Sequence, residues 1–132
     1  MVVGLSVGGI TAIRGAARFS DIDALVAIGG YTSLDPQINQ KYAPALSSRW
    51  IVQRLVPIFF RLETGVHTSQ LRPVDDVAAI SPRPLLLIYG DEEIDQAGGR
   101  EQFAAASQPK ELWVVPGTGH EGYLNNQPAE FR

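Results

Sequence analysis

Three stretches of this chain are apolar without alternating: Asp23–Ile28 (Asp-Ala-Leu-Val-Ala-Ile), Pro84–Gly90 (Pro-Leu-Leu-Leu-Ile-Tyr-Gly) and Glu111–Pro116 (Glu-Leu-Trp-Val-Val-Pro). A strand with one wet face alternates apolar and polar residues. A continuous short run suits a strand covered on both faces, as in a parallel sheet. The opening Met1-Val2-Val3-Gly4-Leu5 is a fourth run of this kind, ending at once in a glycine-rich turn. The order along the chain is strand, helix, strand, long insert, strand, helix, strand, helix. That alternation predicts an α/β fold with a mostly parallel sheet of about four strands, flanked by helices and joined by right-handed crossovers.

The segments between the runs fit this frame. Ile10, Ile13 and Ala17 recur at helical spacing, which predicts a helix from about Val7 to Phe19, with Gly8, Gly9, Ala12, Gly15 and Ala16 allowing close packing on a sheet. Residues 31–49 carry loop chemistry in Asp35-Pro36, Pro44 and Ser47-Ser48. Ser47 or Ser48 suits the cap of a helix from about Arg49 to Glu63, which Pro57 should kink or split. Its apolar positions are Trp50, Ile51, Leu55, Ile58, Phe59 and Leu62, and Gly65 is its expected stop. Val74–Ile80 reads as a short helical turn, Gly99–Ser107 as a helix, and a last helix is expected from about Pro128 to Arg132.

Composition removes several function classes. With 132 residues, 45% hydrophobic and 19% charged, the chain suits one packed domain and neither two domains nor gross disorder. A net charge of −3 with scattered Lys and Arg disfavours nucleic acid and anionic membrane surfaces as partners. No apolar run approaches the length of a membrane span. The absence of cysteine excludes disulfides, thiolate zinc and a cysteine nucleophile. No metal or cofactor is expected, and the acidic residues at 91–95 are too few to form a dedicated oxygen cage. Compartment is not fixed by the residues, and the cytoplasm is the favoured expectation.

Three loops carry residues with chemical potential. Gly4-Leu5-Ser6-Val7-Gly8 puts a serine between a strand and a helix, with glycines two positions to either side. A nucleophile displayed at the end of a strand needs a sharp, strained turn that flanking side chains would obstruct, and the following helix N-terminus favours developing negative charge. A phosphate loop is the competing reading, but the spacing does not match GxGxxG and no P-loop lysine follows. His120 follows a strand and the turn Gly117-Thr118-Gly119, where an imidazole can act as base or sit as a solvated loop residue. His67 lies in the polar insert and reads as surface. The acidic loop Asp91-Glu92-Glu93-Ile94-Asp95 follows the strand ending at Gly90, and a carboxylate there can orient an imidazole or form a solvated turn. Serine, acid and histidine, each just past a strand, follow the chain order of one hydrolase architecture.

With these motifs in hand, the chain resembles the C-terminal part of an α/β-hydrolase superfamily member, in the style of its esterase and prolyl-oligopeptidase-like branches. The resemblance rests on Gly4–Gly9, on Ser81–Gly90 with its acidic loop, and on Pro116–His120; residues 31–73 match least. It implies Ser6 as nucleophile, His120 as general base and acid, and the backbone N–H of Val7 as an oxyanion donor. It implies Glu93 as the triad acid, three residues after the strand-ending glycine, with Asp95 and then Asp91 as alternatives. The function so implied is hydrolysis of carboxylic esters or related acyl bonds through an acyl-enzyme, on a small-molecule acyl substrate. Residues 1–132 would form a single, partial domain, with 31–73 a helical cap insert in which Trp50, Leu55, Phe59 and Phe60 either wall an acyl site or pack on one another. The start inside a strand suggests that earlier strands and a second oxyanion donor are missing. That reading leaves a sheet edge open to self-association. The rival reading is a non-catalytic α/β binding or interaction module, or an inactive hydrolase fragment; a cofactor-binding α/β domain is a weaker third, since it lacks the fingerprint.

Overall fold

The computed structural model describes residues 1–34, 49–120, 122–126 and 129. Four strands alternate with helices in chain order. They are β1 (Val2–Leu5), α1 (Val7–Arg18), β2 (Leu25–Ile28), α2 (Arg49–Thr64), α3 (Pro73–Asp76), β3 (Leu85–Gly90), α4 (Gly99–Ala105), β4 (Lys110–Val115) and α5 (Tyr123–Asn126). Single 3₁₀ turns occupy Thr68–Gln70 and Val77–Ile80. The strands form one sheet in the order β1-β2-β3-β4, every pair parallel. All four carboxyl ends therefore lie along one rim, and the loops that leave them are brought together there.

The register places Val2 beside Leu25 and Leu25 beside Leu85, so alternate positions share a face across the sheet. One face carries Leu25, Ala27, Leu85, Leu87 and Tyr89. It packs on Ala12, Ile13 and Ala16 of α1, on Val77 and Ile80, and on Ile94, Ala97 and Ala106, all of them buried. The small residues of α1 work as the sequence suggests, with Gly9, Ala12 and Ala16 buried against the strands. The other face holds a smaller cluster of Ile88, Val115 and Tyr123, with Val26, Ile28, Leu86 and Trp113 partly buried around it and Val3 and Leu5 exposed. Arg83 ties the layers together. Its guanidinium donates to the carbonyls of Ala16 at 2.6 Å, Phe19 at 2.9 Å and Ile22 at 3.1 Å. These are carbonyls at or just past the end of α1, where a helix runs out of its own donors.

By contact density the described chain divides into two compact units, 1–32 with 73–132, and 33–72. In the second unit α2 runs unbroken through Pro57. The expected split does not occur: a proline withdraws one N–H from the ladder, and more than a turn of helix remains on each side to hold the conformation. Leu55, Phe59 and Leu62 of α2 are exposed and Phe60 is half-buried. The expected cap at Ser47 or Ser48 and the side chain of Trp50 lie outside the described residues, as does the helix expected over 128–132, except for Ala129, which is in a turn. Val74–Ile80 is a turn of α-helix followed by a turn of 3₁₀-helix.

Candidate active site

Ser6 stands between β1 and α1 with φ 57° and ψ −121°, making it the one described non-glycine residue at positive φ. L-residues avoid this region, at a cost of about 1–3 kcal/mol. The conformation is held from both sides. The Ser6 N–H donates to Ile28 O on β2 at 2.8 Å, and Ser6 O accepts from Gly9 N at 2.9 Å as α1 begins. Gly4 makes this turn possible. A Cβ there would lie 2.3 Å from Gly8 O and 2.8 Å from Gly9 N, both backbone atoms that cannot swing aside. Gly8 differs from the sequence expectation: a Cβ on it would meet nothing within 4 Å. The constraint is one-sided, because it is the backbone of Gly8 that crowds Gly4. Val7 is the first residue of α1. Its N–H is one of the first four of the helix, which have no intrahelical partner.

Ser6 Oγ lies 2.8 Å from Nε2 of His120, although 114 residues separate them in the chain. On the other side of the ring, His120 Nδ1 lies 2.6 Å from Oε2 of Glu93. A carboxylate can only accept, so Nδ1 carries the proton and Nε2 is left as the acceptor for the serine O–H. Glu93 is buried, at 6% exposure. Its second oxygen accepts from the hydroxyl of buried Tyr123 and from Gly90 N–H at 3.3 Å. The two alternatives for the acid, Asp95 and Asp91, are engaged elsewhere. Asp95 pairs with Arg100 at 2.9 Å on the surface, and Asp91 accepts from the backbone N–H of Thr118 at 3.1 Å.

Asp91 braces the turn that carries His120. Backbone N–H groups of Gly117 and Thr118 hold its carboxyl below the ordinary carboxylate range. Asn126 of α5 donates to Thr118 Oγ1 at 2.7 Å and to Gly117 O at 3.0 Å. Gly90 lets the β3 and β4 loops approach, since a Cβ there would fall 1.8 Å from Thr118 O. Beneath the site, Tyr89 is fully buried and donates to Gly30 O at 2.6 Å. Burial, and secondarily the charge of Glu93, push its phenol above its ordinary value.

Two aromatic residues were not legible as site residues. Tyr123 touches Glu93, and Tyr31 stacks on His120 with ring centroids 5.2 Å apart and planes 21° from parallel. Tyr31 follows β2 through Gly29-Gly30, so the strand-then-glycine signature that marks the other three loops marks this one as well. Tyr123 has no such signal. His67 is exposed in the second unit, where its Nδ1 lies 3.0 Å from Ser69 Oγ. Among the described residues no cluster of three or more His, Asp or Glu is placed to hold a metal ion, and no helix is long and apolar enough to cross a membrane.

The whole chain, residues 1–132, matches the model of the alpha/beta hydrolase family. Over 44 residues, 33% of this chain and 12% of the relative, it is 46% identical to the uncharacterized protein PA2218 of Pseudomonas aeruginosa. The crystal structure of that protein superposes with a TM-score of 0.61 at 20% identity, covering 98% of this chain and 57% of the other. The esterase domain of a Rhodothermus marinus protein gives a TM-score of 0.61 at 22% identity, with 96% and 52% covered. The Pyrococcus furiosus esterase Pf2001 gives 0.59 at 23%, with 98% and 48% covered. At these identities the likeness is one of fold, and the chain spans about half the length of the proteins it superposes on.

Proposed function

The chain belongs to the alpha/beta hydrolase family, and we propose that it is a serine hydrolase acting on carboxylic esters or related acyl bonds of small molecules. The observation that carries this reading is the unbroken line Ser6 Oγ, His120, Glu93, with contacts of 2.8 and 2.6 Å. Its three members come from three loops at the carboxyl rim of a parallel sheet, where α/β proteins place their chemistry. The strained backbone of Ser6 adds weight, since such strain persists where a side chain must be held in an unusual position. Two of the solved structures that share this fold are an esterase domain and an esterase, which supports the ester bond that the family resemblance implies.

In the proposed reaction Ser6 Oγ attacks the acyl carbon while its proton passes to His120 Nε2. Glu93 keeps the ring oriented and offsets the positive charge that forms on it. The Val7 N–H, at the positive end of α1, meets the oxyanion; losing one such donor typically costs about 10²–10³ in rate. His120 returns the proton to the departing group, and water then releases the acyl group from Ser6 by the same steps in reverse.

A fluorophosphonate probe tests the reading, since it reports an activated serine whatever the natural substrate. The wild-type chain is expected to be labelled at Ser6, and Ser6→Ala to take no label. A folded wild-type sample that takes no label would overturn the proposal in favour of a non-catalytic binding module.

A further inference from the structure

Among the described residues, Nε2 of His120 has two hydroxyl neighbours. Ser6 Oγ is one; the other is the Tyr31 hydroxyl, 3.1 Å from Nε2 and 3.5 Å from Nδ1. The nearly parallel Tyr31 ring, 5.2 Å from the imidazole, fixes that hydroxyl beside the nitrogen. The proposed mechanism uses Nε2 twice: once to take a proton from Ser6, and once to give it to the departing group. Ser6 answers for the first use only.

We propose that Tyr31 is a leaving-group residue, whose hydroxyl donates a hydrogen bond to the ester oxygen as it departs. This rests on the serine hydrolase reading above. For the second proton transfer the departing oxygen must come within about 2.6–3.2 Å of Nε2. In the tetrahedral intermediate that oxygen and Ser6 Oγ are bonded to the same carbon, so it comes to Nε2 beside Ser6 Oγ, and the Tyr31 hydroxyl is 3.1 Å from the same nitrogen. The bond from the acyl carbon to the departing oxygen breaks, and its electron pair stays on that oxygen. The Nε2–H proton transfers to it, the carbonyl re-forms, and the acyl group remains on Ser6. Tyr31 keeps its own proton throughout and stabilises the negative charge as it grows. Its ring also faces the imidazolium, an orientation that favours the charged ring.

The substrate class sharpens accordingly. Esters of ordinary alkyl alcohols, whose alkoxides are poor leaving groups, depend on such a donor, and nitrophenyl esters do not. The test compares wild type, Tyr31→Phe and Tyr31→Ala on ethyl acetate, on 4-nitrophenyl acetate, and in fluorophosphonate labelling, where fluoride departs without a proton. Tyr31→Phe keeps the ring stack and loses the donor. It is expected to lose about tenfold in kcat/KM on the alkyl ester, the effect of one hydrogen bond to a developing charge, with KM unchanged. On the nitrophenyl ester and in labelling it is expected to stay within about twofold of wild type. Tyr31→Ala is expected to slow all three, so that Phe rescues the nitrophenyl ester and the labelling but not the alkyl ester. Equal losses for Tyr31→Phe on both esters, or no loss on either, overturn the Tyr31 assignment while a labelled wild type leaves the hydrolase reading standing. An unlabelled, folded wild type removes both.

Discussion

The most informative single residue is Ser6, because its backbone and its side chain answer to different demands. The side chain reaches His120, 114 positions away, and the backbone sits at φ 57°. Ser6→Ala and Ser6→Gly both remove the hydroxyl and its hydrogen bond, so the difference between them isolates the backbone. Glycine relieves about 1–3 kcal/mol of conformational strain, offset by about 0.4–1 kcal/mol of added freedom in the unfolded chain. Ser6→Gly is therefore expected to be about 1 kcal/mol more stable than Ser6→Ala, read from urea midpoints, with neither variant labelled by a fluorophosphonate. Equal midpoints would mean that the turn carries no strain. Ser6 was legible in the sequence, since its glycines and its position between strand and helix are local. The asymmetry between Gly4 and Gly8 was not, because it depends on which backbone passes close to which.

Among the elements, the β4 loop shows how a turn is made stiff enough to hold an imidazole in place. The Asp91 carboxylate binds the Gly117–Thr118 turn from the β3 side, and Asn126 binds it from α5. The Asp91 carboxyl titrates below its ordinary value of 3.8 in the folded chain. Its charge therefore contributes stability above that pH, and the contribution is lost as the pH falls through the lower folded value. Asp91→Asn is expected to melt below wild type near pH 7, and the gap should close as the pH is taken below 3.8. Thermal midpoints measured across that range check it, and a gap independent of pH would assign the effect to shape instead of charge. Legibility divides along the same line. The strands could be read because a parallel strand buried on both faces leaves a continuous apolar run, as in Leu85–Tyr89. The helix α5 could not, because four residues are too few to show a period, and its reason for forming is the contact of Tyr123 and Asn126 with distant partners.

For the molecule as a whole, the candidate site has no local existence. Ser6, Tyr31, Glu93 and His120 leave four different strands, and they meet only because a parallel sheet aligns all four carboxyl ends. The sequence could rank the residues one loop at a time, and chain order joined three of them. Only the family resemblance favoured Glu93 over Asp95 and Asp91; the loop residues alone did not, since five neighbouring positions of one loop differ only in where their side chains point once β3 and β4 are in register. The same dependence makes a prediction about unfolding. The contact of Ser6 with His120 spans the sheet from β1 to β4, so it is lost when the sheet of the unit formed by 1–32 and 73–132 melts. Fluorophosphonate labelling and far-ultraviolet circular dichroism are expected to fall in one urea transition with a shared midpoint, as in a cooperative two-state domain. Labelling lost well before the circular dichroism signal would show that the rim loops open while the sheet persists, and that the site is held by the loops' own contacts more than by the strands beneath them.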